Sequence, residues 1–135
     1  MKERSLSRID RITGKKEFSL VFQSGIPVST SNTKIRALYT VRRDTEQGLS
    51  IIKIAVAISK KAGNAVWRNR VRRLIKESFR LNKVKLSEHC ANNNLSINLV
   101  FLPVGLNKKY IPKMFLNDIS PLVDEITSKL IEKVQ

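Results

Sequence analysis

Apolar residues along this chain recur with two periods, and the changes between them divide it into strands and helices. From Ile35 to Arg42, Ile35, Ala37, Tyr39 and Val41 alternate with Arg36, Leu38, Thr40 and Arg42, the two-residue period of a strand with one packed face. Ile51 to Ser59 repeats the pattern, with Ile52, Ile54, Val56 and Ile58 on one side and Lys53, Ala55 and Ala57 on the other. Ile97 to Leu102 predicts another strand, ended by Pro103, and Pro27 favours a short extended segment ahead of the first.

Elsewhere the spacing is three and four. Phe18, Val21 and Phe22 predict a helix with Thr13 as N-cap and Gly25 as its stop. Ser120 and Pro121 read as N-cap and first residue of a last helix carrying Leu122, Ile126, Leu130 and Val134. The most informative helix runs from Asn64 to Lys83, with Gly63 and Asn64 supplying turn and cap. At 100° per residue, Leu81, Leu74, Trp67, Val71, Ile75 and Phe79 share an arc of about 160°. Arg68, Asn69, Arg72, Arg73, Lys76 and Arg80 share a neighbouring arc of about 140°, and Arg70 lies past its far edge. Trp67 therefore points to the core rather than to a ligand.

Between these elements, Asp44 to Gly48 reads as a turn and Ser87 to Ser96 as a polar loop with a break at Asn92 to Asn94. Lys108 to Asn117 fits either a loop or a helical turn. Residues 1–10 are expected to be flexible. The order helix, short strand, two strands, helix, strand, helix predicts an α+β sandwich of helices against a mixed sheet. At 135 residues the chain fits one domain, residues 1–135, with a core large enough to need no disulfide or metal.

Charge changes the picture most. The formal net charge is +15, and residues 53–85 hold eleven Lys and Arg against one acid, Glu77. A solvated helix surface normally intersperses carboxylates for i,i+4 pairing, so this ridge calls for an external anion. Arginine dominates it, which suits forked contacts to phosphate oxygens. Nucleic acid is the expected partner. A membrane is not, because no stretch reaches the apolar length of a transmembrane helix. The first ten residues lack the apolar centre of a secretory signal, which predicts a cytoplasmic protein.

Self-contained catalysis has little to stand on. His89 and Cys90 are the only residues of their kinds, and two adjacent ligands cannot close a tetrahedral zinc site. Nor does a third group orient them as a nucleophilic dyad. No phosphate-binding glycine motif is present.

One extended motif goes further. Ser59-Lys60-Lys61, Gly63-Asn64-Ala65-Val66 and Arg68-Asn69-Arg70 follow in one run, with Lys16-Glu17-Phe18, Val21-Phe22, Gly25 and Leu38-Tyr39 upstream. In order and spacing this resembles the protein subunit of bacterial ribonuclease P, over roughly residues 8–104. The resemblance implies a two-layer α/β sandwich with a four-stranded mixed sheet and a left-handed βαβ crossover, similar to a ribosomal protein domain. It further implies the accessory subunit of an endoribonuclease. The RNA subunit would hold the Mg²⁺ and cut precursor tRNA, while the protein binds that RNA and the 5′ leader, with no obligate protein partner. Carried onto this chain, Lys60, Lys61, Asn64, Arg68, Asn69, Arg70, Arg72, Arg73 and Lys76 would meet the catalytic RNA. Phe18, Phe22 and Tyr39 would line the leader cleft, although from spacing alone Phe18 and Phe22 at i, i+4 are more often ordinary core, and Tyr39 is similar. Two positions depart from the family: Ala37 is smaller than the branched residue expected there, and Pro103 stands where Arg is common. A ribosomal RNA-binding protein fits charge and fold as well. A helix-turn-helix DNA binder fits less well, since the cationic helix has no short helix before it.

Overall fold

Strands form where the two-residue period runs, and they join into one mixed sheet. The computed structural model describes residues 8–12, 14–43 and 50–134. The expected strands are β2 (Ile26–Ser29), β3 (Arg36–Arg42), β4 (Ile51–Val56) and β5 (Ser96–Leu102). A short fifth strand, β1 (Arg8–Arg11), extends the sheet on its β4 side, giving the order β1-β4-β5-β3-β2. β1 and β5 run parallel to β4, while β3 is antiparallel to both β5 and β2. Arg8, Ile9 and Asp10, within the stretch expected to be flexible, belong to this strand. Its partner lies some forty positions on, at Ile51 to Ile54, and no local pattern announces a pairing that remote.

Helices cover the sheet unequally. α2 (Ala65–Asn82), α3 (Val84–Asn92) and α4 (Leu116–Lys133) lie on one face, and α1 (Lys15–Ser24) lies on the other. The main core gathers Ile35, Ala37, Tyr39, Ile52, Ile54, Val56, Ile97, Leu99 and Phe101 from the sheet against Trp67, Val71, Ile75 and Phe79 of α2 and the apolar side of α4. A smaller cluster under α1 holds Ile12, Val21 and Val100, with Phe18, Leu38, Ala55, Ala57 and Leu102 packed around it. Gly25 ends α1 where a Cβ would sit 3.1 Å from that of Leu38, so the small residue lets the chain turn tightly onto β3.

Three expectations shift. Residues expected to form the polar loop from Ser87 onward instead belong to α3 as far as Asn92, because Leu86, Ser87 and Cys90 bury one side of that stretch. α4 starts at Leu116, so Pro121 sits in its second turn instead of opening it. Asp118 does the capping: its Oδ2 accepts the Phe115 N–H at 2.8 Å. Leu81, placed on the buried arc by the wheel, is 52 % exposed at the end of α2. The turn expected at Asp44 to Gly48 and the cap expected from Thr13 lie outside the described residues.

Candidate nucleic-acid interface

How α2 is anchored decides which of its side chains are left to solvent. Asn64 Oδ1 accepts the Trp67 N–H at 2.9 Å and closes the first turn. Gly63 lies against the Trp67 ring, where a Cβ would come within 2.7 Å, and the indole N–H donates to the Ile111 carbonyl at 3.0 Å. With Trp67, Val71, Ile75 and Phe79 locked underneath, the basic positions turn outward. Asn64→Ala is expected to lower stability by about 1 kcal/mol, measured as a shift in the urea midpoint with m unchanged, whereas Asn64→Asp retains most of it.

Arg72, Arg73 and Lys76 line a shallow groove of about 350 Å³ with Asn69, Glu77 and Arg80. Arg68 Nε donates to the Gly63 carbonyl at 3.1 Å, and Arg72 Nη1 to Asn69 Oδ1 at 2.9 Å. A guanidinium has five N–H donors, so one bond of this kind aims the group and leaves the rest for phosphate. Lys76 is held below the ordinary lysine range by burial, then by the charges of Arg11 and Arg72. Like charges crowd one another here. The single acid of the ridge, Glu77, spends itself on Arg80 through contacts of 3.1 and 2.5 Å, and the same bonds hold its carboxyl below the usual range.

The remaining basic positions are arranged around that ridge. Lys60 and Lys61 are exposed on a 3₁₀ turn, Lys60–Ala62, that Ser59 caps by accepting the Lys61 N–H at 3.2 Å. Asn64 Oδ1 accepts the cap bond, and its amide nitrogen can still donate to a ligand. Arg70 leans away, its Nε donating to the Met114 carbonyl at 2.7 Å and its guanidinium 5.7 Å from the Phe115 ring centre.

On the other face, the rings of Phe18 and Phe22 meet at 4.8 Å with a 40° tilt, and Phe22 is 43 % exposed. Tyr39 does not join them. It is 3 % exposed and belongs to the main core on the α2 side, where burial raises its phenol above the ordinary range. Strand alternation puts Tyr39 in phase with Ile35 and Ala37, so the residue that meets α1 is its neighbour Leu38. Ala37 is likewise core and has no bearing on a cleft floor. Beside α1 the sheet presents Thr40, Asn98 and Lys53 in register on adjacent strands, and Lys53 Nζ reaches Glu17 at 2.9 Å. Sequence reasoning passed over these three. Their signal was the strand face opposite the core, where Lys53 alternates with Ile52 and Ile54.

Cys90 is fully buried and its thiol is pushed up to about 12 by that burial, while a ring nitrogen of His89 hydrogen-bonds to the Val134 carbonyl oxygen. Among the described residues no group of three or more His, Cys, Asp or Glu could hold a metal, and no helix is long and apolar enough to cross a membrane.

The profile of the Ribonuclease P family matches residues 6–110, which takes in α1, all five strands and the whole of α2. The chain belongs to the ribonuclease P protein family. Among its relatives, the Ribonuclease P protein component of Clostridium novyi is 34 % identical over 103 residues, 76 % of this chain and 80 % of that one. That of Syntrophus aciditrophicus is 35 % identical over 83 residues, 62 % of this chain and 64 % of its own length. Several such alignments thus span less than two thirds of the relative. The fold is shared more widely. The RNase P protein of Staphylococcus aureus superposes with a TM-score of 0.63 at 20 % identity, covering 88 % of this chain and 93 % of that one. The RNase P protein of Thermotoga maritima superposes with a TM-score of 0.62 at 16 % identity, covering 93 % and 98 %.

Proposed function

We propose that this chain is the protein component of ribonuclease P and assists an RNA subunit in removing the 5′ leader from precursor tRNA in the cytoplasm. The observation that carries this reading is the outward ridge of Arg68, Arg72, Arg73 and Lys76, in a segment matched to the family and held rigid by a buried underside. Its cations, with Lys60, Lys61, Asn69 and Arg70 around them, meet the RNA subunit. By neutralising phosphates they replace part of the ion atmosphere that folding and substrate binding require. The Mg²⁺ is assigned to the RNA subunit, and no step at the metal to this chain.

The leader lies along the α1 side of the sheet. Phe18 and Phe22 offer ring faces to unstacked bases, and Lys53 with Asn98 and Thr40 offers donors to the backbone. Base–aromatic stacking is worth about 1–3 kcal/mol, so Phe22→Ala is expected to weaken leader-bearing precursor binding roughly tenfold while leaving mature tRNA almost unchanged. Equal losses for both would return Phe22 to a packing role.

The decisive experiment is reconstitution with the candidate RNA subunit from the same organism. Protein alone is expected to leave precursor tRNA intact, and protein plus RNA is expected to cleave at Mg²⁺ concentrations where RNA alone is slow. Cleavage by the protein without RNA, or no lowering of the Mg²⁺ requirement, would refute the reading.

A further inference from the structure

The start of α2 and residues 108–115 enclose a groove of about 420 Å³ that lies on the Arg70 side of the helix, apart from the Arg72–Lys76 groove and from α1. Its composition is unlike either. Phe115 is 55 % exposed and Val66 79 % exposed, and Arg70, Lys108 and Lys113 line the same space with no acid among the lining residues. Phe115, with the Arg70 guanidinium over its ring and more than half its surface exposed, and the exposed Val66 are apolar surface that a ligand can cover, and three cations lining the same space select an anionic ligand.

The walls are fixed in advance. Lys108 N–H donates to the Ala62 carbonyl at 2.8 Å, and the Trp67 indole donates to Ile111 at 3.0 Å, so residues 108–111 are tied to the base of α2. Arg70 is tied to Met114 at 2.7 Å, and Asp118 holds the Phe115 backbone at 2.8 Å. Binding here orders few side chains, which lowers its entropic cost.

We infer that this groove takes one unpaired RNA base, stacked on Phe115 beside the Arg70 guanidinium, with Lys108 and Lys113 on the flanking phosphates. The combination of a ring face, a planar cation and point charges is what single-stranded nucleic acid recognition uses. The inference deepens the reading of the chain as an RNA-docking protein: the ridge grips backbone without regard to bases, and this groove adds a contact that only an unstacked base can make. It rests on that reading for its biological ligand, but not for its test.

Trp67 is the chain's one tryptophan and lines the groove, so its emission reports occupancy. The full-length protein is titrated with a ten-nucleotide oligoadenylate and with an abasic ribose-phosphate chain of equal length and charge. Wild type is expected to bind the oligoadenylate about tenfold more tightly, with a saturable change in Trp67 emission that the abasic chain does not produce. Phe115→Ala is expected to abolish the emission change and reduce the preference to what the α1 side supplies, Phe115→Tyr to keep both, and Phe22→Ala to keep the emission change. Arg72→Ala with Arg73→Ala should weaken both ligands alike and leave their ratio intact. Phe115 is exposed, so its variants are expected to fold, and circular dichroism checks that they do. Equal affinity of wild type for the two chains, or an emission change that survives in Phe115→Ala, would overturn the inference. Failure of RNA reconstitution with the base preference intact would sink the broader reading and leave this groove standing.

Discussion

Replacing Arg72, Arg73 and Lys76 together by alanine is expected to cut affinity for the RNA subunit about a thousandfold at low salt. Each removes a charge-assisted contact worth about 1.5–3 kcal/mol, and groups this close share some of that energy, so the sum falls short of simple addition. The slope of log K against log salt should become shallower by about two to three units, since a phosphate that the protein no longer neutralises keeps its counterions. Stability should hold or rise. The charges of Arg11 and Arg72 bear on Lys76, so the substitutions remove repulsion from the free protein. A filter-binding salt series and a thermal melt together check this: an unchanged slope would mean that these residues do not touch phosphate, and a large drop in melting temperature would mean that the affinity loss is unfolding.

Phe79→Ala is expected to cost about 3–5 kcal/mol, much of the stability of an ordinary domain. Phe79 has no exposed surface and meets Phe101 edge-on at 5.9 Å and 64°, so it joins α2 directly to β5. Its loss leaves a cavity at the place where the basic helix is seated on the sheet. Urea unfolding followed by Trp67 emission measures it, and a cost below about 1.5 kcal/mol would show that the neighbours collapse into the gap.

Most of this architecture could be read from residue spacing wherever a side chain's fate is settled by local pattern. Trp67, Val71, Ile75 and Phe79 fall on one arc and are buried as a group, and the basic positions beside them face out. Leu81 fits the same arc yet is exposed, in the last turn of α2, which ends at Asn82. Tyr39 is the sharper case. Its alternation with Leu38 placed it in the core, the resemblance placed it in the cleft, and the structure follows the alternation. β1 was illegible for a different reason, since only a pairing with distant Ile51 to Ile54 makes it a strand. α3 was missed because its buried side includes Ser87, and a hydropathy pattern does not count a serine as core.

The groove at Phe115 lay in a stretch whose sequence fits loop or helix alike, and its content depends on side chains from both ends of an interval of some fifty residues. No periodicity describes such a meeting.

The parallel neighbours β4 and β5 are joined through α2 and α3. The helix that bears the arginines is thus also the bridge that brings these two inner strands side by side. During synthesis it emerges before the strand that completes its seat, and a chain cut short ahead of Ser96 would keep the charges without the surface that orients them. Polyanion adhesion and correct docking would then come apart, and only the finished topology makes them the same event.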